Sequence, residues 1–129
     1  MVELAGHYGS AEPVRIRRIA DTHGIPARFL VQILLQLKSA GFVNSTRGAS
    51  GGYQLARPPQ EITLGDIVGV IDSRTNETLG GAAEDSPFAP SLTQIWQEVA
   101  DAERQLLEGI TLANMLQRLQ QDIKHMYYI

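Results

Sequence analysis

Helical spacing of apolar residues dominates the first third of the chain. Residues 1–9 are predicted to be the end of a helix. A short helix is expected over residues 16–23, with Gly24 as its C-terminal stop, because glycine readily adopts the left-handed conformation that ends helices. A third helix is expected to begin near Pro26 and to reach Gly41, since an apolar stripe runs along it: Phe29, Leu30, Ile33, Leu34 and Leu37.

The spacing then changes from helical to strand-like. Phe42–Thr46 and Gly52–Ala56 are short enough for strands. The segment between them, Arg47–Gly51, is rich in glycine and serine, as turns are. Together the three segments predict a two-stranded β-hairpin that is terminated by Pro58 and Pro59.

The second half of the chain is predicted to contain three further helices and a polar loop. Thr63 followed by Asp66 is typical of the start of a short helix. Residues 73–90 are polar and interrupted by glycine and proline, which predicts a long loop. A final helical segment is expected from Thr111. Between the loop and this final segment, Ser91 is expected to cap a long helix. Its apolar residues recur at steps of three and four: Leu92, Ile95, Trp96, Val99, Ala102, Leu106 and Ile110.

The apolar stripe of this long helix is larger than a small domain needs for its own core. A partner helix from a second subunit is its natural cover. The sequence therefore predicts a homodimer with these dimerisation residues: Leu92, Ile95, Trp96, Val99 and Leu106.

The composition limits the possible functions. With 129 residues, 43% of them hydrophobic, the chain has the length of one domain and enough apolar residues for a packed core. No apolar run is long enough to span a bilayer, and the N-terminal residues lack the pattern of a signal peptide, so a soluble, cytoplasmic protein is expected. The absence of cysteine excludes disulfides, a thiol nucleophile, a zinc–thiolate site and a cluster held by cysteine alone.

The charges are segregated along the chain, although the net charge is only −3. Residues 12–57 carry seven basic and two acidic side chains, a net of +5. Residues 58–129 carry four basic and eleven acidic side chains, a net of −7. This asymmetry predicts a basic face for a polyanion and an acidic remainder. Random clustering of surface charge is the alternative explanation.

The two helices around Gly24 have the pattern of a helix-turn-helix. This motif needs a small residue where the helices cross, a glycine in the turn and apolar residues that fix the interhelical angle. A helical hairpin without DNA can mimic the pattern, but the β-hairpin that follows at once, with Arg47 in its turn, favours a DNA-binding unit. Counted from Ile16 as the first, the fourth, fifth, ninth, tenth, fifteenth and eighteenth residues fit: Ile19, Ala20, Gly24, Ile25, Leu30 and Ile33.

The second helix of the pair is the predicted recognition helix, which would enter the major groove. Arg28 can bind guanine or a phosphate, Gln32 can pair with adenine, and Ala27 or Val31 can touch a thymine methyl group. For phosphate or minor-groove contacts the candidates are Arg15 and Arg17 beside the first helix and Arg47 in the hairpin turn. Each arginine has the alternative interpretation of an ordinary surface side chain.

No arrangement of residues points to an enzyme or to a bound cofactor or metal. The glycine-rich stretch Gly48–Gly52 lacks the lysine of a phosphate-binding loop, and a strand follows it where such a loop needs a helix. The histidines His7, His23 and His125 lie far apart, without the spacing of metal ligands. No serine, histidine and acid arrangement stands out.

Two sequence stretches carry a family resemblance. The segment from Ile19 to Pro59, which contains "RGASGGYQLARPP", and the following "EITLGDIVGVID" resemble the IscR/CymR type of bacterial transcription regulator, the Rrf2 superfamily. The resemblance implies a mainly α fold with a two-stranded β wing: a winged helix-turn-helix domain plus a long C-terminal dimerisation helix. It also implies a homodimeric repressor that reads a palindromic operator through two recognition helices and two wings. By position, the DNA-contacting residues of the family correspond to Arg28, Phe29, Gln32 and Arg47.

The chain departs from this family in three ways. Members that sense iron, nitric oxide or redox state have three cysteines in the loop that here spans residues 73–90, and this chain has none, so a family-type iron–sulfur cluster is excluded. Val31 stands where many relatives have glutamate, which removes an acceptor for cytosine and implies a different base preference. Relatives also begin with additional residues, a short strand and the start of the first helix, so weak DNA binding is expected of a form without them.

Within the family, the C-terminal region is most similar to the cluster-free CymR subgroup, which implies control of cysteine or sulfur metabolism. Enzymes of the cysteine synthase type bind partners that insert a C-terminal isoleucine, so Tyr128 and Ile129 are predicted to dock into such an enzyme. The alternative for the tail is that it packs on the dimer. The alternative function is a protein-interaction module that acts through this docking tail, with DNA binding secondary. The predicted regions are a DNA-binding region over 1–74, a loop over 75–90, and the dimerisation helix and tail over 91–129.

Overall fold

The computed structural model describes residues 1–72 and 86–127, with only the backbone described for Tyr127. Most of these residues are helical, and two strands form an antiparallel sheet. The predicted order of elements and the predicted fold class are confirmed. The elements are α1 (Val2–Gly6), α2 (Ile16–His23), α3 (Ala27–Ser39), β1 (Val43–Thr46), β2 (Gly52–Leu55), a 3-10 turn (Pro59–Glu61), α4 (Leu64–Ile71), α5 (Ala89–Glu108) and α6 (Leu112–Tyr127).

The chain folds as two compact units. The first contains Met1–Ile62 together with α6, and the second contains Thr63–Ile110. In the first unit α6 packs against α1 and the 3-10 turn, and in the second α4 packs against α5. This division differs from the sequence-based bounds of 1–74, 75–90 and 91–129, because a helix late in the chain supplies part of the core of the first unit. Residues 73–85 of the predicted loop lie outside the described residues.

The core of the first unit is apolar and continuous across its helices and the hairpin. Leu37 of α3 is 1% exposed, and no polar side chain is buried among the described residues. Every element of the unit contributes to this core, and the 3-10 turn does so through Pro59. Close packing of these side chains fixes the angle between the helices and the hairpin. The other buried members are Leu4, Ala5, Val14, Ile19, Ala20, Leu30, Leu34, Leu37, Phe42, Val43, Tyr53, Leu55, Ile62 and Leu112.

The hairpin contains a pairing that the sequence did not predict. Beyond the register of β1 with β2, in which Val43 pairs with Leu55, Val14 forms an antiparallel bridge with Tyr53. The two backbone N–H groups of that bridge donate to the opposite carbonyls at 2.9 and 2.8 Å. A Cβ atom at Gly52 would collide with the carbonyl oxygen of Val14, so only glycine permits this close approach.

Local side chains determine where the later helices begin. The helix α5 begins at Ala89 and not at the predicted cap Ser91, and Phe88 occupies the N-cap position. Pro90 lies in the first turn, where its missing N–H costs nothing, so the helix can begin before it. At α6, Thr111 is confirmed as the start, since the Asn114 N–H donates to its hydroxyl at 3.1 Å.

Within the described residues, no helix is long and apolar enough to cross a membrane.

The predicted start of α4 is confirmed as a capping box. The Asp66 N–H donates to the Thr63 hydroxyl, and the Thr63 N–H donates to the Asp66 carboxylate, both at 3.0 Å. Two backbone donors that the helix itself leaves unpaired are thereby satisfied.

Thr63→Ala is expected to lower the free energy of unfolding by about 1 kcal/mol, because the Asp66 N–H loses its acceptor. Urea denaturation at matched protein concentration measures the change. Thr22→Ala, at an exposed threonine inside α2, is the control and should cost less. Equal losses for both variants would show that the capping box contributes no more than an ordinary surface threonine.

Candidate nucleic-acid interface

The predicted helix-turn-helix is present as the pair α2 and α3. The two helices pack against each other, and Ile19, Ala20 and Leu30 are buried. Gly24 ends α2 with φ of +64°, the left-handed conformation that was predicted for it. The Ile25 N–H then donates to the Ala20 carbonyl at 3.0 Å, which closes the turn between the helices.

Helix α1 is joined to α2 by polar contacts. The Glu3 carboxylate lies 3.3 Å from Nε2 of His23 and 3.9 Å from Nε of Arg18. These contacts connect α1 to two positions along α2. Because the side chains of Arg18 and His23 are exposed, these contacts are weak, and buried apolar contacts remain the main source of rigidity in this unit.

The N-terminal half of α3 presents an exposed face. Ala27, Arg28 and Gln32 are exposed, and Val31 is half-buried. Phe29, which belongs to the apolar stripe of this helix, is 59% exposed. The buried side of α3 is narrower than the periodicity suggested, with Leu30, Leu34 and Leu37 buried and Ile33 half-buried.

The hairpin turn lies next to the segment that precedes α2. Arg47 is exposed in the turn, and Arg15 and Arg47 border one groove. The Arg15 guanidinium donates a hydrogen bond to the backbone carbonyl of Ala49 in the same turn. Near the turn, Nζ of Lys38 donates to the hydroxyl of Ser45 in β1 at 2.6 Å, which links α3 to β1. Lys38, a basic residue in the last turn of α3, was not among the predicted site residues.

The basic side chains of this region are accessible to solvent. All seven are exposed, and Arg17 on α2 is among them. Arg57 lies over the ring of Phe42, with 5.4 Å from its guanidinium carbon to the ring centroid, and is therefore engaged with the protein. The remaining exposed cations give this unit the local positive charge that a polyanion requires. The full set is Arg15, Arg17, Arg18, Arg28, Lys38, Arg47 and Arg57.

The predicted dimerisation face of α5 is exposed in the single chain. Trp96 is 65% exposed and Leu106 is 72% exposed. Among the described residues of Thr63–Ile110, only Ile67 is buried. This unit therefore buries little apolar surface of its own. The exposed apolar side chains of α5 include all five predicted dimerisation residues: Leu92, Ile95, Trp96, Val99 and Leu106.

The described residues contain no donor set for a metal or a cluster. In residues 1–72 and 86–127, no three His, Cys, Asp or Glu side chains come together in a metal-binding arrangement. The sequence also contains no cysteine, the usual ligand of iron–sulfur clusters. The predicted docking residues Tyr128 and Ile129 lie outside the described residues.

Comparison with known proteins identifies the family. The Rrf2 family model, which is described as an iron-dependent transcriptional regulator, matches residues 1–118. This match spans both the helix-turn-helix with its hairpin and the long helix α5. The family consists of transcriptional regulators and not enzymes, as the sequence predicted.

Individual relatives cover nearly the whole chain. Protein rrf2 of Nitratidesulfovibrio vulgaris is 35% identical over 121 residues, which cover 90% of this chain and 79% of the relative. The structure of T. potens IscR superposes with a TM-score of 0.74 and 36% identity, covering 94% of this chain and 80% of that one. CymR of B. subtilis, described as the global cysteine regulator, has a TM-score of 0.73 and 32% identity, with coverages of 91% and 87%. The chain belongs to the Rrf2 family of winged-helix transcriptional regulators.

Proposed function

We propose that this regulator is a homodimeric repressor that binds a palindromic operator through α3 and the wing, the hairpin formed by β1, β2 and the turn between them. The observation that carries the proposal is the exposed face of α3, with Arg28 and Gln32, on the same compact unit as Arg47 in the wing. A recognition helix supplies base contacts in the major groove, while a wing arginine supplies phosphate or minor-groove contacts. Two copies related by a twofold axis would read two half-sites.

The base contacts proposed for α3 follow from the chemistry of its exposed side chains. Arg28 can donate two hydrogen bonds to a guanine, and Gln32 can pair with an adenine. Ala27, Phe29 and Val31 offer apolar surface to thymine methyl groups. Arg17 and Arg47, both exposed, are proposed to contact the DNA backbone.

The homodimer is supported by the small core of the second unit. Among the described residues of Thr63–Ile110, only Ile67 is buried. The apolar face of α5 therefore needs another surface to cover it. A second copy of α5 has the same apolar face, and a twofold interface pairs identical surfaces.

The signal is proposed to concern cysteine or sulfur metabolism, without a cluster of the family type. The similarity to CymR of B. subtilis supports the metabolic role, and the absence of cysteine supports the cluster-free state. Docking of Tyr128 and Ile129 into a cysteine synthase-type enzyme stays a prediction.

A reporter gene placed behind the bound sequence tests repression, since a repressor should lower expression when the chain is present.

Selection from a random duplex library tests the DNA-binding proposal directly. The expected result is enrichment of a palindrome whose half-site spacing is close to a whole number of helical turns, because the two recognition helices of a dimer enter successive major grooves. A duplex with scrambled half-sites is the control. Recovery of sequences without a common motif, or of none, would contradict sequence-specific binding.

Arg47→Ala is expected to weaken binding to the palindrome and to a scrambled duplex by the same factor, because a phosphate contact carries no sequence information. The slope of log affinity against log salt should become shallower by about 0.9 for each phosphate that the variant no longer neutralises. Fluorescence anisotropy over a salt series measures both effects. An unchanged slope, or a weakening confined to the palindrome, would show that Arg47 does not bind a phosphate.

A further inference from the structure

We propose that Arg15 is a positioning residue, which holds the tip of the wing in place so that Arg47 is presented to DNA. The tip is defined as residues 47–51, between β1 and β2. The sequence alone made Arg15 a candidate for a direct phosphate contact. This inference rests on the proposed DNA-binding function, but the geometry behind it exists in the free protein.

Arg15 is well placed to hold the tip because its own backbone is fixed. It is the N-cap residue of α2, and its carbonyl accepts the first hydrogen bond of the helix, from the Ile19 N–H at 3.2 Å. Its side chain then reaches 34 residues along the sequence to donate to the carbonyl of Ala49. The contact therefore connects the start of the first helix of the helix-turn-helix to the middle of the tip.

The two strands of the wing are held by other contacts, none of which involves residues 47–51 of the tip. One of them is the hydrogen bond from Nζ of Lys38 to the Ser45 hydroxyl. Val14 and Tyr53 pair through their backbones, and the Gln54 side chain donates to the Ser10 carbonyl at 3.0 Å. Within the described part of the chain, the Arg15 guanidinium makes the only hydrogen bond from outside the wing to residues 47–51.

The composition of the tip explains why an external contact matters. Gly48, Ala49, Ser50 and Gly51 have small side chains, and glycine adds backbone freedom, so the tip alone holds Arg47 weakly. Inside the tip, the Gly51 N–H donates to the Gly48 carbonyl at 3.0 Å. Tying Ala49 to a rigid helix end reduces the freedom that the tip would lose on binding DNA.

The first test uses the free protein and the variants Arg15→Gln, Arg15→Lys and Arg17→Gln. Amide hydrogen exchange of Gly51 reports opening of the tip. Arg15→Gln is expected to accelerate this exchange by about fivefold, the effect of removing a typical hydrogen bond. Arg15→Lys retains a donor and should restore much of the protection. Arg17→Gln removes the same charge from α2 and should leave the exchange unchanged, and the thermal midpoints of all variants confirm that they fold.

The second test is a double-mutant cycle on binding to the selected duplex. If Arg15 acts through Arg47, Arg15→Gln should weaken binding in the wild-type background but have little effect in the Arg47→Ala background. A direct phosphate contact by Arg15 would instead give independent decreases in affinity and a further decrease in the salt slope of about 0.9 for each phosphate contact that is lost. Arg17→Gln combined with Arg47→Ala is the matched control for independent effects.

Unchanged exchange of Gly51 in Arg15→Gln, or independent effects in the binding cycle, would overturn the inference. If the wild-type chain binds no duplex, the proposed function fails. The exchange measurement in the free protein then decides alone whether Arg15 holds the tip.

Discussion

Ile95→Glu is expected to convert the proposed homodimer into monomers. Ile95 lies in the middle of the apolar face of α5 and is 54% exposed in the single chain, so it is available to a second copy. Full burial of an aliphatic side chain of this size contributes about 1.5–3 kcal/mol. A glutamate in the same place would bury a charge without a partner, at an effective cost of several kcal/mol.

The twofold symmetry of the proposed interface doubles these terms, because each substitution occurs in both subunits. The lost burial alone, at about 1.5–3 kcal/mol in each subunit, is about 3–6 kcal/mol, which corresponds to a weakening of association by at least about a hundredfold. Sedimentation velocity over a concentration series measures the shift from dimer to monomer. Binding to the palindrome should decrease in parallel, because a monomer contacts only one half-site.

Gln94→Glu is the matched control for this prediction. It adds the same negative charge on the neighbouring residue, and helical geometry directs that residue away from the apolar face. The control should remain dimeric. If Ile95→Glu and Gln94→Glu dissociate to the same extent, the cause is general charge repulsion. If Ile95→Glu remains dimeric, the apolar face of α5 is not the interface.

Arg28→Ala is expected to remove most of the preference for the palindrome over a scrambled duplex. A bidentate contact between arginine and guanine is worth about 1–3 kcal/mol of discrimination. A palindrome contains the contact twice, so the expected loss is about 2–6 kcal/mol, or about 30-fold to about 20,000-fold in the ratio of affinities. Anisotropy titrations of both duplexes at one salt concentration measure this ratio.

Arg17→Ala removes the same charge from the neighbouring helix and provides the comparison. Because Arg17 is proposed to contact the DNA backbone, its removal should weaken binding to both duplexes and leave their ratio unchanged. If Arg28→Ala behaves in the same way, Arg28 binds a phosphate and base recognition depends on other side chains of α3. Selection with Arg28→Ala would then return the original palindrome.

Signals between neighbouring residues explain why most element ends could be predicted. The bounds of α2 agree with the prediction because Gly24 adopts the left-handed conformation that ends the helix. Thr63 and Asp66 form the predicted capping box, and both strands end within one residue of the predicted ends. In each case the physical cause lies within a few residues along the chain, where sequence patterns are informative.

The candidate site was less predictable, because exposure and contact depend on distant parts of the chain. Helical spacing placed Phe29 in the same apolar stripe as Leu30, yet Leu30 is buried and Phe29 is exposed. Arg15 has the positive charge and the sequence position that are expected of a phosphate ligand. Its hydrogen bond to Ala49, 34 residues away, has no local signal.

By itself the sequence determined which segments form helices and strands, that a wing follows a helix-turn-helix, and that no cysteine is available for a cluster. The tertiary structure alone decided that α6 joins the core of the first unit, that Val14 pairs with Tyr53, and that Arg15 reaches the wing. The reason is physical: local conformation follows from neighbouring side chains, whereas these contacts form only when the buried core brings distant segments together.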